Sequence, residues 1–177
     1  MPNRNIKPNR TPKTPLPEGE KEIILTESGL HKLAEELEYL KGTRRKEIAE
    51  RIRAAKEFGD LFENAEYDDA KNEQAFVEGR ILQLEQILRN ARVADNNATD
   101  PEAVTIGSTV RVKDVTGGDE ITYTIVGSAE ADPLRDRISN ESPVGQALIG
   151  RKRGETVTVR VPAGTLQYTI LDVAHQS

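Results

Sequence analysis

The sequence predicts an α+β protein: a long antiparallel coiled-coil hairpin followed by a small antiparallel β-sheet domain with one short helix. Three observations predict it. Apolar residues recur at Leu30, Leu33, Leu37 and Leu40, and again at Val77, Ile81, Leu84, Leu88 and Ala91, the 3/4 spacing of a coiled-coil seam. Pairing Leu30 with Ala91, Leu33 with Leu88, Leu37 with Leu84 and Leu40 with Ile81 centres every pair on one point between Asp60 and Leu61, as an antiparallel fold-back requires, and Ile52 with Ala70 centres on Leu61. From Thr109 onward the period changes from helical to two, with turn residues between the runs.

Composition sets the bounds. A chain of 177 residues has room for one or two modest domains. Its 31% charged residues fit an exposed two-helix rod, which buries only one stripe per helix. A net charge of −5 argues against wholesale coating of nucleic acid but leaves room for a local basic patch. With no cysteine there is no disulfide framework, thiolate metal site or cysteine nucleophile, which fits a reducing cytoplasm. His31 and His175 are the only histidines, so a histidine zinc site or a Ser-His-Asp triad is not expected. No apolar run reaches membrane-spanning length, and the N-terminus lacks the apolar core of a signal peptide.

The elements follow in order. Residues 1–21 hold five of the nine prolines, and five cations against Glu18 and Glu20 leave a charge of +3, so a disordered, mildly basic tail is expected. The hairpin occupies 22–94. Ile23-Ile24-Leu25 leads into Thr26, a good N-cap, and the first helix is expected to run to about Phe58. The second is expected from about Leu61 to Val93, each spanning about 45–50 Å at 1.5 Å per residue. Gly42 and Gly79 lie across from each other, so either the helices approach closely there or both are plain helix defects. A polar linker is expected over 95–103 and the sheet domain over 104–177. In that domain 109–115 and 121–126 alternate around Thr116-Gly117-Gly118-Asp119, a hairpin turn. Ser142-Pro143 opens a short helix that ends at Gly150, with serine as cap and proline at its first position. Thr156 to Val161 and Leu166 to Val173 are two further alternating strands.

The fold-back carries the chemistry, with an acidic tip over 59–63. Asp60 and Glu63 stand three apart before a helix, the pattern of a capping box, and capping is one reading of them. The other is that both carboxylates point off the end of the rod and hold a divalent cation, filling only a few of its roughly six positions, so that a partner completes the site. Basic residues flank the tip. Over 44–57 six cations stand against three glutamates, a local +3, and Arg45, Arg53 and Lys56 share a broad helix face. With Lys71 on the returning helix they could track a phosphate backbone; the plain alternative is a solvated face with ion pairs such as Arg44 to Glu47.

Three blocks together resemble a known family: Leu25-Thr26-Glu27-Ser28-Gly29-Leu30 with Leu33 and Glu35-Glu36-Leu37; Gly59-Asp60-Leu61 with Glu63-Asn64-Ala65-Glu66-Tyr67, Ala70-Lys71, Glu73-Gln74 and Glu78-Gly79-Arg80-Ile81; and Ser142-Pro143 with Ala147-Leu148-Ile149-Gly150. Over about residues 22–173 the chain resembles the Gre-type transcript-cleavage (transcription elongation) factors of bacterial RNA polymerase, nearer the GreA branch than the GreB branch. The resemblance implies that the coiled coil enters the secondary channel of a backtracked polymerase. Asp60 and Glu63 would then help hold a Mg²⁺ ion and a water in the polymerase's own active site, with no metal tightly bound by the free protein. The polymerase would hydrolyse its transcript by two-metal chemistry and release the 3′ fragment; the factor itself would not be an enzyme. By the same resemblance Lys56 and Lys71 contact the 3′ end of the nascent RNA, and Arg53 and Arg45 are assigned to that basic patch by their helix face. The C-terminal domain would be FKBP-like and dock on the polymerase through Glu141, Ser142 and Pro143. The partners expected are therefore backtracked RNA polymerase and nascent RNA, with no membrane, and the factor acts as a monomer.

Three departures stand out. Phe62 puts an apolar ring where the family has a polar or small residue, Lys56 and Lys71 replace arginines of some relatives and lose the bidentate fork, and the proline-rich tail lies outside the match. One rival is an inhibitory paralogue that fills the channel without cleavage activity; both acids are retained and no extra acidic cluster joins them, which argues against it. Another is prolyl isomerase activity, but Phe58, Phe62 and Phe76 all lie in the hairpin, leaving the sheet domain only Tyr123 and Tyr168 for an aromatic pocket.

Overall fold

The computed structural model describes residues 19–58, 64–95 and 100–175. Thr26 caps the first helix as expected: its Oγ1 accepts from Gly29 N at 3.0 Å, and α1 runs over Glu27–Tyr39. One π-helical turn, Leu40–Arg44, joins it to α2, Arg45–Glu57. Heptad spacing continued from Leu33, Leu37 and Leu40 would ask for apolar residues at 44 and 47, yet those are Arg44 and Glu47, and the seam resumes at Ile48. The seam therefore carries one extra residue, and a π turn is the device that absorbs one. It explains why the Ile52–Ala70 pairing is offset from the pairings nearer the helix start.

The returning helix α3 spans Ala65–Arg89. Leu33 and Leu84 bury against each other with Leu30, Leu37, Leu40, Leu88 and Ala91 around them, and Ile48, Val77 and Ile81 form the next cluster along the rod. The seam is thus the one read from spacing. Its end is not: α3 stops at Arg89, not Val93, and β2 (Ala91–Val93) pairs in parallel with β1 (Ile23–Leu25), Ile23 opposite Ala91 and Leu25 opposite Val93. The two ends of the hairpin meet there, and the ladder takes backbone groups that a further helical turn would have used. Gly42 and Gly79 do not mark a close approach, because a Cβ at either would meet nothing within 4 Å.

The C-terminal unit is a five-stranded sheet in the order β5-β4-β3-β7-β6, with β3 Ser108–Asp114, β4 Glu120–Val126, β5 Arg137–Ser139, β6 Thr156–Val161 and β7 Gly164–His175. The β3–β4 turn is the one predicted, with Gly118 at φ +77 where a side chain would be strained. Helix α4, Pro143–Leu148, starts from Ser142, whose Oγ accepts from Gly145 N at 3.1 Å. One feature departs from the antiparallel expectation: β5, not foreseen in so short a run, pairs parallel to β4, Ile125 opposite Ile138. The core is one cluster that includes Val110, Val112, Ile125, Leu148, Val159 and Ile170, each at most 1% exposed. Val104, also fully buried, anchors the start of this unit through Val104 N donating to Arg151 O at 2.8 Å. No helix among the described residues is long and apolar enough to cross a membrane.

Candidate functional site

The expected site lies at the end of the hairpin where α2 meets α3. Asp60 and Glu63, with Phe62, lie outside the described residues, in the segment between Phe58 and Asn64. Both sides of that segment are defined. Asn64 caps α3, its Oδ1 accepting from Tyr67 N at 3.1 Å, while its Nδ2 donates to Ala55 O at 2.6 Å and ties the start of α3 to the last turn of α2. The helix starts about four residues later than expected, and Asn64 supplies the cap of its first turn. Asparagine is among the strongest N-caps, so the residue type at 64 carried that signal.

The basic residues divide into two kinds. Arg45 is committed to the opposite helix: its Nε and Nη2 each donate to a Glu78 carboxylate oxygen at 2.6 Å. Those hydrogen bonds hold Glu78 below the usual carboxylate range and raise the Arg45 guanidinium further. Arg51 likewise donates to Glu66 and Glu73, and Arg44 to Glu73 and, as expected, to Glu47 at 2.7 Å. These arginines fasten the two helices together, and their charge is largely spent there. Among the described residues Arg53 reaches Glu57, its i+4 neighbour, at 3.3 Å, with both side chains well exposed. Nearer the tip, Lys56 Nζ sits 6.0 Å from the ring centroid of Tyr67, a cation–π distance, and Lys71 Nζ donates to Gln74 Oε1 at 2.8 Å. Neither lysine has a carboxylate partner among the described residues. Phe58, at the end of the described part of the first limb, is exposed.

The expected docking segment is in the sheet unit, beside the turn Ser128–Glu130. Ser142 is occupied as the cap of α4 and also donates to Ser139 O at 2.7 Å. Glu141 accepts from Ser128 Oγ at 2.6 Å, and Glu141 and Pro143 are exposed. A stiff turn thus presents an acid and a proline ring side by side. Among the described residues no group of three or more histidine or acidic side chains is placed to hold a metal.

The fold and these surfaces define a two-part protein, a helical hairpin with basic side chains near its free end joined to a compact sheet unit. The family model for the N-terminal part of transcription elongation factors matches residues 23–93, and that for the GreA/GreB C-terminal part matches 98–175. The chain is 58% identical over 153 residues to transcription elongation factor GreA of Caldanaerobacter subterraneus subsp. tengcongensis, covering 86% of this chain and 98% of that one. It is 57% identical over 153 residues to the same factor of Clostridium botulinum strain Langeland, covering 86% and 96%. The crystal structure of GreA factor homolog 1 of Thermus thermophilus is 28% identical, with a TM-score of 0.41 over 87% of this chain and 99% of that one. The chain belongs to the GreA/GreB family of transcription elongation factors.

Proposed function

We propose that this factor inserts its hairpin into the secondary channel of a backtracked bacterial RNA polymerase in the cytoplasm and stimulates the polymerase's own cleavage of the nascent transcript. The observation that carries the reading is the layout of the hairpin end: two acids fall in the short segment between Phe58 and Asn64, the helix that follows is capped by Asn64, and the flanking lysines lack carboxylate partners among the described residues. Asp60 and Glu63 would hold Mg²⁺ jointly with the polymerase, since two carboxylates cannot fill its coordination shell. That ion supplies an activated water and charge stabilisation at the leaving oxygen. Lys56 and Lys71 draw the extruded RNA 3′ end along the shaft; Arg53 adds charge, and Arg45 contributes through the rigidity of the rod. Glu141, Ser142 and Pro143 dock on the polymerase outside the channel, and the factor works as a monomer.

The test is a cleavage assay on stalled elongation complexes with the wild-type protein and the Asp60→Ala and Glu63→Ala variants. The expected outcome is loss of stimulated cleavage by about 10²-fold or more, with polymerase binding nearly unchanged, as for removal of a group that acts only on the reacting centre. Variants that still stimulate cleavage would reject the assignment of the acids. A wild-type protein that binds but blocks the channel would make this an inhibitory relative.

A further inference from the structure

A capping box is normally local: the N-cap side chain bonds the third helical N–H, and a glutamate at that third position reaches back to the N-cap N–H. At the start of α1 the first half is present, but the third position is Gly29. The missing carboxylate comes from the other unit, 104 residues away. Glu130, in the single helical turn Ser128–Glu130 that follows β4, accepts from Thr26 N at 2.7 Å through Oε2 and from Thr26 Oγ1 through Oε1. Its side chain is only 3% exposed, and Arg137 Nη2 stands 3.6 Å from Oε1 on the sheet side. Two glycines make room for this arrangement. A Cβ at Gly29 would overlap the Glu130 carboxylate, and a Cβ at Gly127 would overlap Ile24 O. Ala129 packs into the Leu25, Leu33 and Leu84 cluster at the base of the hairpin.

We infer that Glu130 is a positioning residue: it completes the cap of α1 across the two units and fixes the direction in which the docked sheet unit aims the hairpin. The inference rests on the proposed channel-insertion function for its consequence, and on the geometry alone for its mechanics. The lever is long. From Glu27 to Glu57 the first limb extends about 46 Å, so a rotation of about 5° at its base moves the far end by about 4 Å. A misplacement of about 1 Å at a reacting centre can cost about 10²-fold in rate. A thin rod delivering groups to another machine's chemistry therefore needs a stiff base, and a buried carboxylate on a helix N-terminus, where its charge is favoured, supplies one.

The sequence has no cysteine, so spin labels at Lys46→Cys on the hairpin and Arg153→Cys on the sheet unit, both at exposed positions, report one distance. The wild type should give a single narrow distribution. Glu130→Ala and Gly127→Ala should broaden or shift it while both units stay folded by circular dichroism, and Glu130→Gln, which keeps the shape but loses one acceptor, should fall between. In the cleavage assay the same variants should lose about 10²-fold of the rate at saturating factor with little change in the half-saturating concentration, because docking through the sheet unit is intact. A narrow, unshifted distribution in Glu130→Ala, or in Glu130→Gln together with Gly127→Ala should the alanine variant not fold, overturns the inference. So does a broadened distribution with an unchanged saturating rate. If the wild type fails to stimulate cleavage, the proposed function fails instead, and the distance distributions alone decide whether Glu130 fixes the angle.

Discussion

The two units are held together by different physics. The sheet unit closes around a single cluster of fully buried aliphatic side chains drawn from four of its strands and from α4. The hairpin has two small clusters strung along a seam, and between and beside them it is laced by charged pairs from one helix to the other: Lys41 with Glu85, Arg45 with Glu78, Arg51 with Glu66, Arg80 with Glu36. A two-helix rod cannot bury much apolar surface, and exposed ion pairs are individually weak. Its shape thus leaves the hairpin to depend on many charged pairs where the sheet unit depends on burial.

The comparison breaks first at the cores. Ile170→Ala, at 1% exposure in the middle of the sheet cluster, should cost about 2–5 kcal/mol by denaturant unfolding, whereas Ile52→Ala on the half-exposed seam should cost about 1–2 kcal/mol. Equal costs would mean that the hairpin is packed like a globular core. Acid should discriminate next. Hydrogen bonds from Arg45 and Lys41 hold Glu78 and Glu85 below their ordinary 4.5 in the folded hairpin. A carboxylate with a lowered folded pKa contributes its stability above the unfolded value and loses it as pH falls through the folded one. Hairpin melting, followed by helical circular dichroism, should therefore drop as the pH is lowered through and below the ordinary glutamate value of 4.5. Glu78→Gln should remove part of that drop, and a hairpin whose melting ignores acid would show that the cross-helix pairs contribute nothing.

Much of this was legible in residue spacing, and what was not shares a cause. The seam could be read because a 3/4 apolar repeat has few other uses, and Thr26 and Ser142-Pro143 could be read because capping is a local interaction of side chain with nearby backbone. The π turn was readable in principle, since Arg44 and Glu47 interrupt the heptads by one residue. The pairing of β1 with β2 was not, because three-residue strands acquire their partners only when distant chain segments meet. Glu130 was invisible for the same reason: nothing in Ser128-Ala129-Glu130 says that its carboxylate completes a helix cap from the other unit. The division of the basic stripe into Arg44, Arg45 and Arg51, which pair with carboxylates of the opposite helix, and Arg53, Lys56 and Lys71, which do not, also needed the register in three dimensions. The acids at 60 and 63 remain a reading of sequence position and family resemblance.

The smallest effect tests the hairpin most finely. Gly79 lies inside α3 with open space where a Cβ would go, and it does not have a positive φ. A glycine there gives the unfolded chain extra freedom and supports no close approach of the helices. Gly79→Ala should therefore stabilise the hairpin by about 0.5–1 kcal/mol, read as a rise in the denaturant midpoint. If it destabilises instead, the helices come closer at that level than the structure has them, and the apposition of Gly42 and Gly79 would be a packing device after all. A neutral or stabilised Gly79→Ala that also cleaved transcripts less well would say something different: that the rod needs a point of give between its stiff base and its tip, which is the opposite demand from the one placed on Glu130.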